Sequence, residues 1–160
     1  MLLSSARTVG DVVTTGIPVV LPEAGAEVVL VKLLQSPLRR VVVVATDGRV
    51  LGIVSDRDLL LRTSPDTRPW LVRALTGRRA AGPGEPGRRL DGPRGPLTAK
   101  DLMASSLVTV GAGDSLRTAI RLMMQHQVKR LVVVDEAGRL QGLVDRREVL
   151  RALAGPPAQP

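Results

Sequence analysis

Short runs of valine, leucine and isoleucine recur along this chain, separated by polar turns, and their spacing predicts the elements. Residues 17–21 and 107–110 are brief apolar stretches that read as strands. A helix follows each. In residues 113–126, Leu116, Ala119, Ile120 and Met123 fall at i, i+3, i+4 and i+7, one helical face. Residues 23–36 are ambiguous alone, because Val28, Val29, Leu30 and Val31 are contiguous and mostly β-branched. Two more strands come next, 40–45 with 50–55 and 130–135 with 140–144. They join through Thr46-Asp47-Gly48 and Glu136-Ala137-Gly138, where glycine can take the positive φ of a tight hairpin. Strands apolar on both faces are expected to be buried on both sides. Closing helices begin at Asp56 and Arg146.

The ambiguity at 23–36 is removed by an internal repeat. Laying residues 8–62 over 98–152 without a gap gives 14 identities in 55 positions. They include Thr8/Thr98, Asp11/Asp101, Arg40/Arg130, the Val42–Val44 run over Val132–Val134, and Gly52/Gly142. Ala26, Val29, Leu30 and Leu33 then match the helical face of the second copy. The fold class is therefore α/β (α+β), a β-α-β-β-α unit twice. The chain divides into repeat one at 1–62, a Pro/Gly/Arg-rich linker at 63–96, repeat two at 97–154 and a frayed tail at 155–160. Residues 64–76 could hold one short helix, with Trp70, Leu71, Ala74 and Leu75 on one face. Residues 77–96 have almost nothing to bury and are expected to be mobile.

Composition narrows the function. A hydrophobic share of 44% supplies a core, and the apolar runs are too short to span a bilayer. With no cysteine and no signal-peptide pattern at the start, a cytoplasmic location is expected. The net charge is +8, but residues 63–96 hold seven arginines and three acids, half of the excess. A charge so placed, in a chain with 20 Arg and 3 Lys, speaks for composition bias more than for a nucleic-acid face. One histidine, His126, and no carboxylate cluster leave no metal or nucleophile arrangement, so no enzyme is expected. A single tryptophan excludes a base-stacking platform.

What remains is the junction between the third strand of each repeat and its closing helix. Gly52-Ile53-Val54-Ser55-Asp56-Arg57-Asp58 reads first as a capping box, Ser55 at the N-cap and Asp58 reaching back. Asp145-Arg146-Arg147-Glu148 satisfies the same rule. The same geometry also suits a ligand: helix amides and a hydroxyl accept phosphate, a carboxylate one turn in takes a ribose diol, and Gly52 admits close approach.

The repeat, the hairpin glycine, the Arg40 valine run and the Gly-apolar-x-Ser-x-x-Asp signature together resemble a pair of CBS (cystathionine-β-synthase) domains, over residues 8–62 and 97–153. The resemblance implies two repeats related by a pseudo-two-fold axis, with clefts that take AMP, ADP, ATP, NAD or S-adenosylmethionine. Carried over residue by residue, Ser55 would meet phosphate or ribose and Asp58 the ribose diol. Ile17, Pro18 and Val54 would wall the adenine, Gly52 and Ile53 belong to the same site, and Arg40, with Arg39 beside it, would reach phosphate. A weaker second site would comprise Asp145, Glu148, Leu107, Val144, His126, Lys129 and Arg130. It departs from the pattern, since Asp145 stands where Thr or Ser is expected and a carboxylate repels phosphate.

The expected function is an adenine-nucleotide-binding regulatory module that signals to an unknown partner protein or through its own dimer. Val28, Val31, Leu122 and Met124 exceed what one helix face can hide, which suggests a homodimer. The alternatives are a basic nucleic-acid-binding adaptor and a structural dimerisation module whose ligand site has decayed.

Overall fold

The β-branched run Arg40–Val44 (β2) forms the middle of a three-stranded sheet, ordered β1 (Val19–Val20), β2, β3 (Val50–Ser55). The computed structural model describes residues 7–63, 71, 91–92 and 95–155. β1 runs parallel to β2, with Val19 opposite Val42 and Val20 opposite Val43, and the crossover is helix α1 (Ala26–Gln35). The hairpin to β3 turns at Gly48, whose φ is +86°. Helix α2 (Asp56–Arg62) closes the repeat.

The second repeat builds the same pattern. Its sheet is ordered β6 (Thr109–Gly111), β7 (Arg130–Val134), β8 (Leu140–Asp145), with helices α4 (Leu116–His126) and α5 (Arg146–Ala154). β7 and β8 are antiparallel, and Arg130 lies opposite Asp145. The β-α-β-β-α reading holds in both repeats, as mixed α+β. The first strands are shorter or later than expected. Gly16 has a φ of +73°, and Pro18 has no N–H to give the ladder, so β1 begins at Val19.

Four elements were not anticipated. A 3₁₀ turn, Val9–Asp11, precedes repeat one, and a short helix α3 (Ala99–Leu102) precedes repeat two. Between the repeats, β4 (Asp91–Gly92) pairs antiparallel with β5 (Gly95–Pro96). Gly92 is buried, with Leu97 standing where a Cβ would lie, and the rest of the stretch 77–96, expected to be mobile, lies outside the described residues apart from Asp91, Gly95 and Pro96. The helix expected within 64–76 lies outside the described residues except Leu71, which is helical and fully buried.

The chain clusters into two compact units that do not coincide with the two repeats. One comprises residues 17–46 and 51–105, the other 1–16, 47–50 and 106–160. Each unit therefore takes its opening segment from the other repeat. In the first unit α1, α2, β1, β2 and β3 bury Val29, Leu33, Val41, Val43, Val54 and Leu59, joined by Ala99 and Leu102 of α3. In the second, Leu116, Met123, Leu131, Val133, Val144 and Val149 are joined by Val9. Burying a valine or leucine side chain stabilises by about 1.5–3 kcal/mol, so Val9 and Leu102 anchor the exchanged segments.

The exchange obeys the ninety-residue offset bond by bond. Val9 N donates to Asp114 O at 2.9 Å and Gly10 N to Ala112 O at 2.8 Å. In the other unit Ala99 N donates to Ala24 O at 2.8 Å and Lys100 N to Pro22 O at 3.0 Å. Val42 and Val132 are also buried on the opposite sheet faces, as double-sided apolar strands require.

Candidate functional site

The strand–helix junction of repeat one is built by a reciprocal cap. Ser55 is the N-cap of α2 in extended backbone, and its Oγ accepts from Asp58 N at 3.3 Å. Asp58 Oδ2 accepts from Ser55 N and from Ser55 Oγ, each at 2.8 Å. Asp58 Oδ1 accepts no hydrogen bond among the described residues. Both residues are half-buried. The same bonds recur at Thr8–Asp11 and Thr98–Asp101, with carboxylate contacts of 2.8 to 3.3 Å. Capping thus accounts for the geometry of Ser55 and Asp58 by itself. At Asp101 the bonds from the Thr98 amide, then from its hydroxyl, hold the carboxyl below its ordinary pKa.

Strand alternation decides which neighbours share the Ser55 face. Ile53 lies two residues before Ser55 and is half-buried, whereas Val54 points the other way and is fully buried in the first unit's core. Val144 is equally buried in the second unit. Ile17 is nearly buried and Pro18 half-exposed, its carbonyl accepting from Val42 N at 3.0 Å. Gly52 packs against Met103. A Cβ there would lie 2.5 Å from Met103 Sδ and 2.8 Å from Met103 Cβ, so the missing side chain makes room for Met103. Arg40 starts β2; its Nη1 donates to Arg39 O at 2.7 Å and lies 4.0 Å from Asp56 Oδ1.

Repeat two holds the matching positions differently. Asp145 caps α5 by accepting from Arg147 N at 2.8 Å through Oδ1. Its Oδ2 lies 3.1 Å from Arg130 Nε, an ion pair whose N–H is not aimed at the oxygen, so the contact is coulombic. Glu148 does not reach back to complete a box. Its two oxygens face Arg151 Nη1 at 3.1 and 3.3 Å, one turn further along the helix. The longer glutamate reaches the i+3 arginine, which the Ser-x-x-Asp analogy did not foresee. Leu107 is half-buried, while His126, at the end of α4, and Lys129 are exposed; Lys129 O accepts from Arg146 N at 2.8 Å.

Sequence reasoning passed over Asp56, which faces Arg40, and the pairing of Arg130 with Asp145. The strand register carries the second, since the ends of a two-strand hairpin meet. Two depressions in the second unit, of about 590 and 570 Å³, include Thr109, Asp114, Asp135 and Glu136 in one and Ile120, Met124 and Leu153 in the other. Neither is lined by a residue of the proposed first site. Among the described residues no group of three or more His, Cys, Asp or Glu could hold a metal, and no helix is long and apolar enough to cross a membrane.

The CBS domain family model matches residues 9–63 and 99–155. Among solved structures, the chain is similar to CBSX2 of Arabidopsis thaliana, with 27% identity, a TM-score of 0.62 and coverage of 94% of this chain and 96% of that one. A structure of CBSX2 in complex with AMP gives a TM-score of 0.63 over 92% of this chain and 97% of that one, again at 27% identity. The cytosolic domain of the Mg2+ channel MgtE, at 24% identity and a TM-score of 0.61, covers 91% of this chain and 48% of that chain and shares the fold. Among curated proteins, an uncharacterized protein of Methanopyrus kandleri is 23% identical over 90% of this chain. Inosine-5'-monophosphate dehydrogenase of Streptococcus pyogenes is 33% identical over 36% of it. The chain spans 61% of the first of these relatives and 12% of the second.

Proposed function

The chain belongs to the CBS-domain family, and we propose that it is a regulatory module that binds an adenine nucleotide, AMP first among AMP, ADP and ATP, without a catalytic step of its own. The observation that carries this reading is the likeness to CBSX2, determined with AMP, over nearly the full length of both chains. NAD and S-adenosylmethionine share the adenosine part and are the next ligands to compare. Repeat one is the better site. Asp58 Oδ1 is open to a ribose hydroxyl, Ser55 can turn its hydroxyl to ribose or phosphate, and Ile53, Ile17 and Pro18 supply apolar surface. Arg40 offers the positive charge.

Binding would act through a shift between states of different affinity, read by a partner protein or by a second copy of the chain. Val28, Val31 and Leu34 form an exposed apolar stripe along α1, and Met124 is exposed on α4, which supports the homodimer; Leu122 instead packs against the second unit's core. The test is thermal melting of the purified chain with each nucleotide in turn. A ligand at one hundred times its Kd stabilises by about 2.7 kcal/mol, so AMP should raise the Tm by several degrees. No shift with any adenine compound sinks the reading.

A further inference from the structure

The two repeats pair the matching arginine with a carboxylate at different positions and distances. In repeat one Arg40 faces the carboxylate of Asp56, 4.0 Å away and 45% exposed, while the junction residue Ser55 is uncharged. In repeat two the carboxylate has moved one residue earlier. Asp145 is only 22% exposed and stands 3.1 Å from Arg130, and Arg146 replaces the acid at the next position. Both oxygens of Asp145 are engaged, one by Arg130 and one by the Arg147 amide. We infer that Asp145 is a specificity-determining residue of repeat two: its carboxylate takes the place beside Arg130 that an anionic ligand group would need, so this repeat accepts an uncharged nucleoside and rejects a phosphorylated one.

This rests on the reading that the strand–helix junctions are the ligand corners. The half-buried carboxylate repels a phosphate at short range, where water screens it least. Arg146 and Arg147 do not undo this, because both are exposed and their charge is screened. Glu148 stays available for a ribose diol once it leaves Arg151, an exposed pair that holds it weakly.

The experiment is calorimetric titration of the full chain and of Asp145→Ser, with AMP and with adenosine as separate probes. Asp145→Ser should bind one more AMP per chain than the parent, its affinity for AMP at that repeat rising about tenfold or more. Adenosine affinity should change by less than about threefold. A role in capping alone would weaken both ligands together. No additional AMP in Asp145→Ser, or two AMP already bound by the parent, overturns the inference. A parent that binds no AMP refutes the nucleotide reading of repeat one, and the gain in Asp145→Ser still decides this one. Should Asp145→Ser melt early, Asp145→Asn removes the charge while keeping the cap and answers the same question.

Discussion

Ile53 and Ala104 exchange two backbone hydrogen bonds, Ile53 N to Ala104 O at 3.1 Å and Ala104 N to Ile53 O at 2.9 Å. Ninety positions apart in both partners, Thr14 N donates to Leu143 O at 2.8 Å and Leu143 N to Thr14 O at 3.0 Å. The segment that opens each repeat thus completes the sheet of the other. The paired glycines Gly52 and Gly142 are what let these segments come close, and this is a packing role.

The glycines give the first prediction. A Cβ on Gly142 would meet the Thr14 carbonyl oxygen and Val13 Cγ2, each at 2.5 Å, and backbone cannot move aside cheaply. On Gly52 it would meet Met103, whose Sδ and Cγ can turn aside while its Cβ, at 2.8 Å, is fixed to the backbone. Gly142→Ala should cost about 1–3 kcal/mol by overpacking, and Gly52→Ala less. Gly113→Ala, with nothing within 4 Å and no positive φ, should stay within about 0.5 kcal/mol of the parent. Urea unfolding of the three variants measures the order. Equal stability of Gly142→Ala and Gly113→Ala would contradict the exchanged packing.

The second prediction separates ligand binding from capping. Asp58→Ala should lower AMP affinity by about 1.5–3 kcal/mol, as for a hydrogen bond to a charged group. It should also cost about 1 kcal/mol of stability through the lost cap. Asp101→Ala removes the same box from α3 and should cost similar stability while leaving AMP affinity unchanged. Calorimetry and urea unfolding on both variants make the comparison. If Asp101→Ala weakens AMP as much as Asp58→Ala, the effect at Asp58 is structural.

These outcomes depend on features that differ in how far the sequence discloses them. The ninety-residue offset made α1 legible, because Ala26, Val29, Leu30 and Leu33 inherit the helical face of Leu116, Ala119, Ile120 and Met123. The exchange was not legible. Local periodicity reports which face of a segment is apolar, not which distant sheet covers it, so Thr8/Thr98 and Asp11/Asp101 stood as identities between the repeats, with neither the capped turns they form nor the destination of those turns disclosed. The burial of Val54 follows from alternation, which sets it with Gly52 on the face opposite Ser55 and Ile53. The Arg130–Asp145 pair needed the β7–β8 register, and a bulge-like shift between Val133 and Val134 prevents counting it from the hairpin turn alone.

The third prediction concerns acid. Asp101 has a folded pKa below its ordinary value, chiefly through the Thr98 amide and hydroxyl. A depressed carboxyl contributes stability that is present above its unfolded pKa, about 3.9, and is lost as pH falls through the folded value. Thr98→Val removes the hydroxyl but keeps the amide, so the Asp101 pKa should rise part of the way towards the ordinary value. An NMR titration of the Asp101 carboxyl follows it directly. Since this group is exposed, the effect on global stability should be small. An Asp101 titration identical in Thr98→Val and the parent would remove the hydroxyl from the account.

The last prediction concerns assembly and follows from what α1 leaves uncovered. Ala26, Val29, Leu30 and Leu33 face the core, yet Val28, Val31 and Leu34 are 47%, 55% and 41% exposed and repeat every three residues along one side. Such a stripe loses free energy in water and gains it against a second apolar surface, at about 25 cal/mol per Å² removed. A second copy of the chain offers the same stripe, and a two-fold axis would set the two helices against each other. Val31→Lys places a charge at the middle of the stripe without touching a core residue. Sedimentation should show a dimer for the parent at micromolar concentration and a monomer for Val31→Lys, with the melting of the folded chain otherwise preserved. AMP should still bind to the monomer, because Ser55, Asp58 and Arg40 lie outside α1. A parent that sediments as a monomer with and without AMP would leave the stripe to a different protein partner and end the homodimer proposal.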